Sequence, residues 1–434
     1  MKKILLFSML LFSIWSFAQD YYSQQWAKIE QGVKQGNYKS NLPILKEIKN
    51  QAMKDKKTVE LVKALKGELS VAQMTEDDTK NDIVSQFYGK LSEVENTLKG
   101  EDLQFFKVLM LEYFLDNYNE NQWQINRRTN LDNQDLKSIE TWTKLDYKKY
   151  ISQKLTELDK ESATLKNIKL EKYETIFDYK NYSKEYYGSA YNWLMMKKIG
   201  FLTNTSLFTP DEIKTNKKEA DLIFNNLIDT NVGNAKLYFQ HQQVMTDCNA
   251  GQCQDLLEKL QKLYNSSING DYKLMIASDI ISQLDAKDKK VEALKVASEA
   301  KAKYPKSQFI GNITNLENNI INPNLNISYD VQTQANKPIH VSVNAKNVNN
   351  LWIEIYEVAD VSQFLKFVND QYNNPFSKIK KKFVRKEQYQ LINPKDYENH
   401  ITSVEMKPVP AGLYVAKFFI DGKESEDFHF IASD

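Results

Sequence analysis

The chain has 434 residues, 41% hydrophobic and 26% charged, as in an ordinary globular protein, and its 13 glycines and 9 prolines are too few for a collagen-like or low-complexity chain. Lys and Arg (58) balance Asp and Glu (57), so a net charge of +1 supplies no global field to recruit nucleic acid or an acidic lipid surface. Four histidines and two cysteines leave few soft metal ligands, and no cofactor is expected.

Met1–Lys3 is basic, Ile4–Phe17 is an apolar run broken only by serines, and Ser16-Phe17-Ala18 puts small residues three and one positions before a cut at Gln19. This is the pattern of a signal peptide over residues 1–18. A transmembrane anchor is the competing reading, but the run is shorter than the roughly 20 residues a span needs. The remaining chain is expected to be exported, periplasmic or extracellular, with no membrane span.

From there to about residue 320 the apolar spacing is helical. Trp26, Ile29 and Val33 share a face, as do Leu45, Ile48 and Ala52, then Val59, Val62 and Leu65. Leu103–Leu115 is apolar almost all round and predicts a central buried helix. Thr209-Pro210-Asp211-Glu212 carries a capping residue, a proline suited to the first helical position and a glutamate able to close a capping box. Further helices are predicted over Gln254–Tyr264, Lys273–Leu284 and Val291–Tyr304. In the last of these Ala293, Ala297, Ala300 and Ala302 precede Pro305. Small residues on a helix stopped by proline follow the logic of a tetratricopeptide hairpin, although no clean period repeats elsewhere. The region is therefore expected to be an irregular helical-hairpin array, either a groove for partners or a plain support.

Near residue 321 the pattern changes. Six of the nine prolines lie beyond it, and apolar residues alternate: Ile327, Tyr329, Val331; Ile339, Val341, Val343, Ala345; Leu351, Ile353, Ile355. Phe383-Val384 with Tyr389 and Leu391, Val404 with Met406, Leu413–Ile420 and Phe428–Phe430 complete about seven strands, and Asp421-Gly422 signals a tight turn. An antiparallel β-sandwich is expected, with Asp360–Asn374 as a helical insert.

Several segments in order resemble a known family. They are Trp26-Ala27-Lys28-Ile29-Glu30, then Asn121-Gln122-Trp123-Gln124-Ile125-Asn126-Arg127-Arg128-Thr129 and Ile139-Glu140-Thr141-Trp142. Tyr187-Gly188-Ser189-Ala190-Tyr191-Asn192-Trp193-Leu194 follows, and Lys346–Tyr356 (KNVNNLWIEIY) opens the strand region. Together they resemble the N-terminal region of the large exported alpha-2-macroglobulin-like proteins of Bacteroidetes, in which a helical region precedes the first macroglobulin domain. The resemblance implies a multidomain α-then-β chain: an all-α TPR-like region over 19–320 and a seven-stranded macroglobulin- or Ig-like sandwich over 321–434. It also implies protein partners, either the rest of a macroglobulin-like assembly or proteases. Such proteins trap proteases through a bait segment and, in many members, a Cys-x-Glu-Gln thioester. Here Cys248 is followed by Asn249-Ala250-Gly251 and Cys253 by Gln254-Asp255-Leu256, and neither fits. The expectation is a non-catalytic interaction module, an N-terminal portion or shortened relative of such an inhibitor, that traps no protease alone. A free-standing TPR-like adaptor for envelope complexes and a hydrolase with an unrecognised site are the alternatives.

Candidate residues are few. Cys248 and Cys253 are spaced for a small disulfide loop in an oxidising compartment, with free thiols or a metal site as alternatives. His241 makes a Cys–His nucleophile conceivable, without a visible orienting partner. Lys378–Lys382, centred on Lys380, Lys381 and Lys382 and followed by Arg385-Lys386, either grips an anionic partner such as lipopolysaccharide or peptidoglycan, or guards an edge strand. Arg127 and Arg128 either clamp a partner carboxylate or tie their helix to an acidic neighbour. Tyr179, Tyr182, Tyr186, Tyr187, Tyr191 and Trp193 either stack on sugar or pack between helices. His340, His400 and His429 are scattered and read as exposed or edge residues.

Overall fold

A computed structural model describes residues 21–75, 83–129, 138–176, 184–249, 255–370, 372–373 and 375–434. Residues 1–18, where a signal peptide is expected, lie outside the described residues. The helical N-terminal region gives way after residue 321 to a β-sheet region, and the chain divides into two compact units. Among the described residues no helix is long and apolar enough to cross a membrane.

The first unit (Met1–Leu256 with Ile268–Gly270) holds α1 (Tyr21–Lys34), α2 (Asn41–Asp55), α3 (Thr58–Thr75), α4 (Ile83–Glu95), α5 (Gly100–Ile125), α6 (Lys144–Asp159), α7 (Ser162–Asn167), α8 (Lys184–Tyr187), α9 (Ala190–Leu202), α10 (Pro210–Thr230) and α11 (Gly233–Asn249). Most helices consecutive in sequence pack on one another, while α7 packs on α5 and α9. Gly67 permits the close approach of α3 to α2, since a Cβ there would meet Leu45 Cδ2 at 2.6 Å. Helix α5 is the hub: Phe105, Phe106, Val108, Leu109, Leu111, Phe114 and Leu115 are all buried in a single core. The α10 start is a complete capping box, with the Thr209 hydroxyl accepting from the Glu212 amide and the Glu212 carboxylate accepting from the Thr209 amide. Buried Glu68 of α3 accepts from the ammonium groups of Lys49 (α2) at 2.8 Å and Lys90 (α4) at 2.9 Å. Burial works to raise the Glu68 carboxyl, but these two bonds hold it below the usual glutamate value.

The second unit (Leu257–Ser267 and Asp271–Asp434) holds α12 (Leu256–Tyr264), α13 (Lys273–Asp285), α14 (Lys290–Lys303), α15 (Ile310–Ile321), α16 (Val361–Asn369) and eight strands. On α14, Ala293, Ala297 and Ala300 are buried, whereas Ala302 faces solvent. The strands are β1 (Asn324–Tyr329), β2 (Gln332–Gln334), β3 (Ile339–Lys346), β4 (Asn350–Glu357), β5 (Lys382–Gln390), β6 (His400–Met406), β7 (Gly412–Ile420) and β8 (Lys423–Ser433). They form a three-stranded sheet, β1-β3-β6, and a five-stranded sheet, β2-β8-β7-β4-β5. One apolar cluster is shared by both: Val341 and Val343 from the first, Leu351, Ile353, Phe418 and Phe430 from the second. The β7–β8 hairpin turns on Asp421 and Gly422, both at positive φ (45° and 88°) as the Asp-Gly signal requires.

Two expectations change here. Seven antiparallel strands become eight, because the chain breaks at Asp330-Val331 and Gln332–Gln334 pairs parallel to the end of β8. These three polar residues carry no apolar alternation to announce a strand. The compact division also does not coincide with 320/321. The orphan carbonyls at the α15 C-terminus are satisfied by the β3–β4 turn. Asn347 Nδ2 donates to Ile320 O (2.9 Å) and Ile321 O (3.0 Å), and Lys346 Nζ donates to Asn319 O (2.5 Å). Lys290 of α14 pairs with Glu398 of the β5–β6 loop at 2.7 Å. The last helices are thus fastened to the sheets. Asn347→Gly keeps the positive φ of 57° that this position adopts but removes the amide. It is expected to cost the second unit about 1 kcal/mol in urea unfolding, and an unchanged midpoint would show that the cap contributes nothing.

Candidate interaction surface

The outer face of the five-stranded sheet carries α16. Strand alternation turns Tyr414, Ala416 and Phe430 into the shared core and leaves Leu413, Val415 and Ile431 on the other side. There α16 seals them with Phe364 and Phe367, joined by Val358 and Ile379. The helix begins at Asp360, whose carboxylate accepts from the Gln363 amide at 3.1 Å. One turn apart on the opposite face, Val361 and Leu365 remain 59% and 52% exposed. They border a shallow concavity with Ser362, Lys366, Asn369 and Asp370.

The segment after α16 lies against it. Gln363 Oε1 accepts from the Lys380 amide at 2.8 Å. The Phe376 ring takes the Lys381 ammonium at 4.1 Å and the Lys417 ammonium at 4.7 Å from its centroid, and meets Tyr356 edge-on at 5.1 Å. Tyr356 in turn meets half-exposed Phe383 at 5.5 Å. Burial, then repulsion from Lys417, pushes Lys381 below the usual lysine value. Lys417 pairs with Glu424, and Lys386 with Glu354 at 3.2 Å. Lys366, Lys380 and Lys382 make no ion pair among the described residues.

Strand β5 is an edge of its sheet, so the lysines of this run stand at and before a free strand edge. Arg385 is spent internally. It pairs with buried Glu387 and donates Nη1 to Pro408 O at 3.1 Å. The Glu387 carboxylate also accepts from the Lys407 amide at 3.2 Å, which ties the edge of the larger sheet to the chain leaving β6.

The other sequence candidates are dispersed. The Arg127 guanidinium stacks on exposed Trp123 at 3.5 Å, and Arg128 donates to the Trp142 carbonyl at 2.6 Å. Neither pairs with a carboxylate among the described residues: Arg127 meets a ring near the α5 C-terminus and Arg128 the carbonyl of Trp142, just before α6. Cys248 is disulfide-bonded, and Cys253, the other cysteine of the chain, lies outside the described residues. His241 is buried on α11. His400 meets Asp396 at 3.0 Å, and His429 packs edge-on to Phe364 at 5.9 Å, its pKa lowered by burial. His340 is exposed. Among the described residues no group of three or more His, Cys, Asp or Glu gathers as a metal-ligand set. Tyr186 stacks on Tyr238 at 5.0 Å, Tyr187 shares a 3.0 Å hydrogen bond with the Tyr238 hydroxyl, and Trp193 is fully buried. These aromatics pack between helices, while Tyr179 and Tyr182 lie outside the described residues.

Sequence reasoning passed over one polar centre. Glu112 is buried on apolar α5, paired with Lys197 of α9 and accepting from Trp193 Nε1 at 3.4 Å. One turn on, Asp116 is open to solvent yet crowded by protein. Loss of hydration pushes its carboxyl up to about 6, with Glu112 adding to the rise and Lys197 opposing it. The signal was available: two acids one turn apart at the end of the apolar stretch Leu103–Leu115. A raised folded-state pKa makes the protonated form the favoured one, so Asp116 weakens the fold as pH climbs from about 4 through about 6. Asp116→Asn is therefore expected to raise the melting temperature at neutral pH and not near pH 4. The gain is held to about 1 kcal/mol because the group keeps contact with water. Equal melting of both proteins across this range would contradict the crowding.

No family model matches the chain, and no curated protein matches it. Among solved structures it is similar to a Pseudomonas fluorescens alkylpurine DNA glycosylase AlkC bound to DNA containing an abasic site analog, at 8% identity over 91% of this chain and 98% of that one, with a TM-score of 0.18. So slight a likeness assigns neither fold nor activity.

Proposed function

We propose that this chain is a non-catalytic, exported protein-interaction module whose partner surface is the outer face of α16 with the adjoining basic segment. The carrying observation is Val361 and Leu365, large apolar side chains left in water one turn apart on a helix whose other face is firmly anchored. Apolar residues grouped beside a polar rim mark protein contact surfaces. In this reading the front helices are an irregular, TPR-like hairpin array and the two sheets a macroglobulin-type sandwich. The Ala-lined packing of α14 and the core shared by the sheets support those assignments. The basic start, apolar run and small-residue cut of Met1–Ala18 support export.

The resemblance to the N-terminal part of bacterial alpha-2-macroglobulin-like inhibitors suggests that the partner belongs to a protease-trap assembly or is a protease. Neither cysteine opens a Cys-x-Glu-Gln, so trapping by the chain alone is not expected. Incubation with proteases should give no adduct stable to denaturant, and such an adduct would refute this part of the reading. The interaction itself is tested by size. The mature chain in envelope extract should elute in an assembly larger than the purified chain, and Val361→Asp with Leu365→Asp should return it to the size of the purified chain. Elution of the unaltered chain at its own size in extract would overturn the proposal. The adaptor reading is favoured instead if the assembly survives those changes but is lost on altering exposed Leu222 or Val232 of the helical unit.

A further inference from the structure

We infer that Asn269-Gly270 is a self-modification site, at which the folded chain slowly converts its own asparagine to aspartate and isoaspartate. The inference is independent of what binds α16. Sequence singles the place out, since this is the one Asn-Gly pair in 434 residues. Glycine has no side chain to hinder attack by its amide nitrogen on the preceding carboxamide. Structure leaves both reacting groups unengaged. Asn269 is exposed in the loop between α12 and α13, and its carboxamide has no hydrogen-bond partner among the described residues. The Gly270 amide likewise donates no hydrogen bond among them. Two comparable pairs lack this freedom. Asn265-Ser266 lies in the same loop, but the Ser266 amide donates to Leu263 O at 3.1 Å. Asp421-Gly422 is closed by its hairpin, and the Asp421 carboxylate accepts from the Asn350 amide at 3.2 Å.

The reaction consumes only water. The Gly270 nitrogen gives its proton to hydroxide and attacks Asn269 Cγ. A bond forms between them, the bond from Cγ to the side-chain nitrogen breaks, and ammonia leaves with a proton taken from water, closing a succinimide ring. Water then opens the ring. Opening at Cγ gives aspartate. Opening at the main-chain carbonyl gives isoaspartate, in which the chain runs on through Cβ and Cγ. Either product carries a carboxylate where a neutral amide stood. Isoaspartate also lengthens the main chain by a carbon, directly before a tight seat. Gly270 lies so close to α11 that a Cβ there would meet Asn234 Oδ1 at 2.1 Å and Leu237 Cδ1 at 3.1 Å. The extra carbon finds no room on that side, so the segment is expected to lift from α11.

The test holds the folded mature chain for several days in mildly alkaline and in mildly acidic buffer, beside a urea-unfolded sample. The tryptic peptide over residues 263–273, bounded by Lys262 and Lys273, is then sequenced by mass spectrometry. The mass increase of an amide-to-acid change should appear at Asn269 and not at Asn265. It should be faster in the alkaline sample, because the attacking amide must lose its proton. Asn269→Gln sets the carboxamide one methylene further from that amide and should slow the change roughly a hundredfold. Isoaspartate-specific methyl transfer should label the aged chain and not this variant. The isoaspartate fraction, separated by anion exchange, should exchange the α11 amides around Leu237 faster than fresh chain does. Freshly prepared Asn269→Asp, which adds the charge without the extra carbon, should not. An intact Asn269 in the folded chain with conversion only in urea would overturn the inference. Equal conversion at Asn265, indifference to pH, or conversion undiminished in the Asn269→Gln variant would do the same. Unchanged exchange in the isoaspartate fraction would overturn the lifting from α11.

Discussion

Trp193→Ala is expected to destabilise the first unit by about 4 kcal/mol. The side chain is fully buried, and its ring lies 5.7 Å from Phe105, which stacks on Tyr173 at 3.5 Å. Truncation leaves a cavity among α5, α9 and the Tyr173 segment. It also takes a hydrogen bond from Glu112, a carboxylate that is itself buried and depends on Lys197 and the indole for compensation. Trp193→Phe refills part of the cavity without restoring the donor, so about half the loss should remain, roughly 2 kcal/mol. Urea unfolding of the mature chain, read by hydrogen exchange of α5 and α9, checks both. An unchanged midpoint for the alanine variant would mean that the aromatic cluster is not a hub of this unit.

The second large effect concerns α16. Phe364→Ala or Phe367→Ala is expected to cost about 3 kcal/mol locally. A nine-residue helix has little stability of its own, so loss of either anchor should melt it outright. Hydrogen exchange should then show α16 unprotected while the amides of β4 and β7 stay protected, because Leu351, Ile353 and Phe418 belong to the separate core between the sheets. The extract assembly should disappear with the helix. Retained protection of α16, or loss of the sheets as well, would contradict the division into two cores.

Much of the architecture was legible in the sequence, for physical reasons that name its limits. Helical spacing identified α2, α3 and α5, and the Thr209–Glu212 box marked the start of α10, because these signals depend on local geometry alone. The alternation in β3 and β4 identified the inward rows, whereas the Leu413–Val415 row of β7 faces α16, and Asp421-Gly422 marked the β7–β8 hairpin. What escaped was set by tertiary pairing. Strand β2 exists only because β8 lies beside it, and the fastening of α15 depends on an asparagine amide 26 and 27 positions away in the chain. The candidate surface shows the same limit. Val361, Phe364, Leu365 and Phe367 are all apolar, and only packing separates the pair that anchors from the pair left in water. The lysine run was visible, but not that Arg385 is consumed by Glu387 while Lys380 and Lys382 are left over. Glu112 and Asp116 were also visible, without sign that Lys197 would meet the first and not release the second from crowding.

The most direct measurement of the central claim is site-specific photocrosslinking in producing cells. A photoreactive residue at Leu365 is compared with one at Leu222, a still more exposed leucine on α10. The account predicts discrete protein adducts from position 365, none from position 222, and loss of the adducts when Phe364 is replaced by alanine. Equal labelling at both positions, or none at 365, would contradict it.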